Sequence, residues 1–153
     1  MLVGVQLDFY NSMSYNLTKW GETVRVFKVK VFVRFQRREG MRDTALCWAV
    51  RDAEAGLIDA DLGGALIKPR VARPGQGKRG GYRTIIAYRK RDRSVFLFGF
   101  AKNAKADLMA DEQAALAKIG ARWLNASEDK IEAAIAQDEL KEVSYGEEDE
   151  SER

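Results

Sequence analysis

Histidine is absent from the 153-residue chain, and that absence excludes a good deal of chemistry. Without it there is no Ser-His-Asp or Cys-His nucleophile and no paired-histidine acid–base nucleolysis. The single cysteine, Cys47, forbids an internal disulfide, and one Cys with no His cannot supply an ordinary zinc shell. Cys47 lies among apolar residues at helical spacing, as a small buried hydrophobe would. With only two prolines and 46% hydrophobic residues the composition is globular, not disordered. No apolar run approaches the ~18 residues that span a bilayer. The N-terminus lacks the basic flank, apolar stretch and small-residue cleavage site of a secretory signal. One cytoplasmic domain is the expectation. Any catalysis must rest on Lys, Arg, Tyr, Asp or Glu, and a carboxylate-bound magnesium stays open although acids are scarce where the chain is basic.

What is present is positive charge, unevenly placed. The net charge of +3 hides a division: residues 25–105 carry 20 Lys and Arg against 7 Asp and Glu. Residues 106–153 carry 5 against 14. A basic segment of this kind attracts nucleic acid in a salt-dependent way. Charge alone gives the class of partner and not the activity. The basic character concentrates in Leu66–Lys102, where eleven cations meet one acid, Asp92.

Hydropathy patterning predicts the elements. Residues 1–23 have no clear period, and they read either as a short strand at Leu2–Leu7 with a loop or as an extension that is not normally translated or ordered. Trp20-Gly21-Glu22 must be encoded TGG-GGN-GAR, which can spell a purine-rich ribosome-binding sequence, and Val24 follows two codons later; the expected start is Val24. Val24–Phe35 alternates apolar and basic residues, which predicts a strand at about 24–29 with one wet face and a helix at about 31–39 stopped by Gly40. Asp43 is the expected N-cap of a second helix ending at Gly56, with Leu57–Gly64 as a loop. Strands are expected at Ala65–Ala72, Tyr82–Tyr88 and Val95–Phe100, joined as an antiparallel meander. Arg73–Gly81 is too glycine-rich for an element, and Lys90–Arg93 makes a turn. An amphipathic helix over Asp111–Leu124 uses Leu116, Ile119, Gly120 and Trp123, and Ser127 caps a further helix before an acidic tail, Gly146–Arg153. The expected organisation is an extension over 1–23, a domain over 24–126, and an extra helix and disordered tail over 127–153.

Strand periodicity places Lys68 and Arg70 on one face, with Ile67 and Val71 on the other. Arg83 opens the next strand and Lys102 lies just beyond the third, so antiparallel pairing brings these cations together. Such a cluster permits RNA cleavage without histidine. The 2′-hydroxyl loses a proton, arginines clamp the developing phosphate charge, and the 5′-oxygen leaves. A lysine among arginines is pushed toward its neutral, basic form. Solvated strand edges and plain phosphate contacts would give the same charge pattern. The loop PGQGKRGG reads either as a solvated hairpin or as a phosphate cradle, and Lys78 and Arg79 favour backbone contact.

The segments FxRFxRREG at 32–40, GLIDADLGGALIKPRVARPGQGKRGGYRTIIAYR at 56–89 and FLFGFAKN at 96–103 resemble RelE-like toxins of bacterial type II toxin–antitoxin systems, nearest a HigB/RelE-type subfamily. The resemblance covers about 24–125 and implies an α+β fold: a small twisted antiparallel sheet of about four strands, two N-terminal helices on one face, and C-terminal helices. It implies an mRNA-cleaving endoribonuclease needing neither metal nor cofactor, often acting in the ribosomal A site, with a cognate antitoxin from a neighbouring gene and no membrane partner. By position the catalytic set is Lys68, Arg70, Arg83 and Lys102, and the RNA-binding set is Arg73, Lys78, Arg79, Tyr82 and Tyr88. Many relatives carry a C-terminal catalytic tyrosine; here none follows Tyr88 until Tyr145. That leaves Lys68 as the expected base, Lys102 next, and Tyr82 or Tyr88 as stacking groups. Two other readings stand beside this one: a ParE-like toxin that binds gyrase, which lacks such a basic set, and a non-catalytic nucleic-acid-binding relative.

Overall fold

Val24, Val26 and Lys28 alternate with Arg25, Phe27 and Val29, and the alternation makes strand β1, Arg25–Val29. The computed structural model describes residues 24–73, 77–101 and 107–144, the side chains of 77–80 excepted. The chain then turns into helix α1, Lys30–Glu39, which ends at Gly40 with φ +69°, the left-handed geometry glycine adopts without strain. Helix α2, Asp43–Glu54, follows. Neither face of β1 is wet, because helices cover both sides of the sheet. Lys28 is buried and its amine donates to Asp43 at 2.8 Å and to Gln36 at 2.9 Å. Asp43 is therefore the first helical residue and the partner of Lys28; the N-cap position belongs to Arg42.

The expected loop after α2 contains a short strand, β2, Asp61–Gly63. The single strand expected over Ala65–Ala72 is two, β3 (Leu66–Ile67) and β4 (Arg70–Arg73), because Pro69 between them has no N–H to give a ladder. Strand β5, Gly77–Arg89, begins inside the glycine-rich segment, where Arg73 pairs with Gly77. Arg91, at φ +59°, turns the chain into β6, Arg93–Ala101.

Helix α3, Ala110–Leu124, packs on the sheet through Gly120, Trp123 and Leu124, with Leu116 partly buried. Ile119, expected on that stripe, is 42% exposed, since Leu116, Gly120 and Trp123 at helical spacing already fill the contact. Ser127 caps helix α4, Glu128–Ala136, its Oγ accepting the Lys130 N–H at 3.2 Å. Strand β7, Leu140–Glu142, then pairs antiparallel with β1. With Ile131 and Leu140 fully buried, the helix and strand after residue 126 are part of the fold, so the expected boundary there moves to the end of β7. The N-terminal extension and acidic tail lie outside the described residues.

The result is an α+β fold on a sheet of order β2-β3-β5-β6-β1-β7, with β4 also on β5. Among the described residues it has seven strands, not about four, and it is mixed: β1 runs parallel to β6. Helices α1 and α2 cover one face with Phe32, Phe35, Leu46 and Val50; α3 and α4 cover the other with Trp123, Leu124 and Ile131. Each large side chain so buried contributes roughly 1.5–3 kcal/mol. Phe35 lies on bare backbone at Gly99, where a Cβ would fall 2.6 Å from its Cδ2. That ring is itself packed edge-on against Tyr82, with centroids 5.6 Å apart. Gly99→Ala is expected to cost about 1–3 kcal/mol through overpacking, read as a lower urea midpoint with an unchanged slope.

Candidate active site

Residues opposite one another on an antiparallel ladder share a face. Arg70 pairs with Arg83, Arg83 with Phe100, and Ile85 with Phe98. The register does not slip between the Leu66–Ala87 and Val71–Tyr82 pairs, so Lys68 stands opposite Ile85. Two rows result on the α3 side of the sheet, Lys68–Ile85–Phe98 and Arg70–Arg83–Phe100. Helix α3 closes over Leu66, Ala87 and Leu97, where Gly120 lets it approach. Beyond that contact Arg70 is exposed, and Lys68, Arg83 and Phe98 are half-buried.

The backbone that carries Lys68 and Arg70 is tightly held. The Lys68 N–H donates to Ala60 O at 2.9 Å, and the Arg70 N–H donates to the Asp59 carboxylate at 2.8 Å. Pro69 O accepts both the N–H and the hydroxyl of Thr84, each at 3.1 Å. The two cations therefore project from a determined geometry.

Their electrostatic surroundings differ. Lys68 Nζ forms an ion pair with Asp107 Oδ1 at 2.9 Å, and the same oxygen accepts the Leu108 N–H at 2.8 Å. The Lys68 hydrogen bond, aided by Leu108 N–H and the nearby Arg83 charge, holds the Asp107 carboxyl below its ordinary range. Arg83 keeps one Nη buried with no hydrogen-bond partner among the described residues. A buried unpaired donor is costly, more so on a charged group. Among the described residues no three or more His, Cys, Asp or Glu side chains gather to hold a metal ion.

Lys68, Arg70 and Arg83 thus come together as the sequence suggested. Lys102 lies outside the described residues, as do the side chains of Lys78 and Arg79. The expected stacking tyrosines are elsewhere. Tyr82 is 2% exposed in the core on the α1 side, edge-on to Phe35, with the Arg73 guanidinium 4.9 Å above its ring. Tyr88 donates its hydroxyl to Glu54 at 2.7 Å, and burial together with that carboxylate pushes its ionisation well up. Neither ring offers a face to a base, because pairing with Val71 and Ser94 places both on the sheet face opposite Arg83. Arg73 is there too, 3.7 Å from Glu39. Other cations of the basic stretch serve the fold. Arg89 and Arg93 donate to the last carbonyls of α3 at Leu124 and Trp123, at 2.9 and 2.7 Å, where the helix dipole favours positive charge.

Sequence reading passed over Phe98, Asp59 and Asp107. Period-2 alternation in VFLFGF would have set Phe98 and Phe100 on one face, but nothing local said that this was the face of Arg83. Asp59 and Asp107 became visible only through the contacts they make.

A family model described as the RelE toxin of the RelE / RelB toxin–antitoxin system matches residues 24–143. No curated protein matches the chain.

Arg70 is exposed and makes no contact that the core requires, so Arg70→Ala is expected to melt like the parent chain. Its affinity for a non-cleavable 2′-deoxy oligonucleotide should fall, and the slope of log K against log salt should drop by about 0.7, one single-strand phosphate contact. Titrations at several salt concentrations check this.

Proposed function

The chain belongs to the RelE toxin family, and on that premise we propose that it is a metal-independent endoribonuclease that cuts mRNA by 2′-hydroxyl attack and so stops translation. As a member of a toxin–antitoxin pair it has an antitoxin partner; we place that partner's gene beside its own, and the substrate on the ribosome.

The observation that carries the activity is the cation face: Lys68, Arg70 and Arg83 on one surface, with a buried Arg83 Nη that has no partner among the described residues. A scissile phosphate set between Arg70 and Arg83 supplies that partner. In the pentavalent transition state the phosphoryl oxygens gain charge, and planar guanidiniums already in place stabilise it without reorganisation. Lys68 flanks the same phosphate in the neighbouring row. Lys102 stays in the proposed catalytic set, and Lys78 and Arg79 among the proposed RNA-binding residues. Phe98, half-buried on this face and 6.0 Å from the Phe100 ring, takes the stacking role in place of Tyr82 and Tyr88.

Inducing the chain in a bacterial host and mapping new RNA 5′ ends tests the reading. The expected result is growth arrest with fresh cuts inside coding sequences. Arg83→Ala and Lys68→Ala should each lower cleavage at least ~10²-fold, the scale of one lost charge stabiliser or proton-transfer group. Arrest with DNA damage and no RNA cuts would indicate gyrase binding instead; no arrest would indicate a non-catalytic relative.

A further inference from the structure

The ribonuclease reading leaves open which group takes the 2′-hydroxyl proton, and the geometry narrows it. Histidine is absent, and Tyr82 and Tyr88 sit on the opposite face, one buried and one tied to Glu54. Lys68, as the cation of an ion pair, has protons to give; the lone pairs belong to its partner Asp107. We propose that Asp107 is the base and Lys68 the acid of this reaction, an inference that rests on the ribonuclease reading above.

Three features of Asp107 support it. Its side chain is 61% exposed whereas that of Lys68 is 18% exposed, so the carboxylate lies on the solvent side, where a ribose arrives. Oδ1 is anchored twice, by Lys68 Nζ and by the Leu108 N–H, which fixes the carboxylate. Oδ2 has no hydrogen-bond partner among the described residues and is open to a hydroxyl. Pairing with Lys68 keeps Asp107 weakly basic in the free protein. An entering phosphate competes for Lys68 and Arg83, and as it draws them away the carboxylate regains basicity when a substrate is present.

The step balances without another reactant. Asp107 takes the proton of the 2′-hydroxyl, and the 2′-oxygen forms a bond to phosphorus. The bond from phosphorus to the 5′-oxygen breaks, its electron pair leaves on that oxygen, and Lys68 Nζ protonates it. The products are a 2′,3′-cyclic phosphate and a 5′-hydroxyl end. Asp107 is left protonated and Lys68 neutral; return of one proton from Asp107 Oδ2 to Lys68, relayed through solvent, restores the ion pair. Arg70 and Arg83 hold the phosphorane meanwhile.

The test compares an ordinary RNA with one whose scissile 5′-oxygen is replaced by sulfur, free and in the ribosomal A site. Thiolate leaves without needing a proton. Full-length Lys68→Met should lose ~10²–10⁴-fold on the oxygen substrate and recover most of that loss on the sulfur one, stopping short of the parent rate because Asp107 loses its Lys68 anchor. Asp107→Asn, on an exposed side chain, should melt like the parent and lose a similar factor on both substrates. Full activity of Asp107→Asn would overturn the proposal by leaving Asp107 a mere counter-ion. Failure of sulfur to rescue Lys68→Met would overturn it by removing the acid. If the unchanged chain cuts neither substrate, the ribonuclease reading itself falls and takes the proposal with it.

Discussion

The site depends on Pro69. A proline cannot donate to a β-ladder, so the strand beside β5 breaks there, and a break at a sheet edge normally leaves a loose backbone. Here it does not. Thr84 gives Pro69 O two hydrogen bonds at 3.1 Å, and the flanking N–H groups of Lys68 and Arg70 go to Ala60 and Asp59. The Lys68 and Arg70 N–H groups and the Pro69 carbonyl all have partners, and the two cations stand on a backbone with little freedom. Positioning by ångströms decides rates in chemistry of this kind, so the constraint on Pro69 and the function proposed for its neighbours are linked.

Positive charge is divided between holding the fold and making the site. Arg25 contacts Glu128 and Glu142, each at 2.7 Å, and Arg93 contacts Glu128 at 2.6 Å, so the acidic C-terminal segment is partly the counter-charge of the basic one. These contacts fasten α4 and β7 to the sheet. Lys28 is buried with Asp43 and Gln36 in the same service. Among the described residues neither Arg70 nor Arg83 forms an ion pair of this kind, and the partner of Lys68 is exposed. On the face that α3 leaves uncovered, Arg70 is exposed, Lys68 and Arg83 are half-buried, and Arg83 keeps one unsatisfied Nη, so this face is cationic although the net charge of the chain is only +3.

Much of the fold was legible because it rests on local signals. The helix stop at Gly40, the Ser127 cap, and the turn around Asp92 each depend on a few neighbouring residues, and each is where the pattern put it. Three of the errors share one cause. Whether the basic face of β1 is wet, whether Ile119 is covered, and whether Tyr82 meets solvent all depend on what a distant segment lays on top, and periodicity carries no such information. The wetness of Lys28 was misjudged because α2 supplies Asp43 from fifteen residues away. At the site, alternation correctly grouped Lys68 with Arg70, and the ladder added Arg83. Asp107 was invisible because its role comes from a contact with Lys68 across 39 residues.

The central claim is that RNA is cut here by its own 2′-hydroxyl, with protein cations stabilising the phosphate. The chemical nature of the new RNA ends tests it most directly. RNA recovered after exposure to the chain should carry 5′-hydroxyl ends that polynucleotide kinase labels without prior phosphatase treatment, opposite 2′,3′-cyclic phosphates. Ends bearing a 5′-phosphate and a free 3′-hydroxyl would mean that water, and not the ribose, attacked the phosphorus, and would contradict the account.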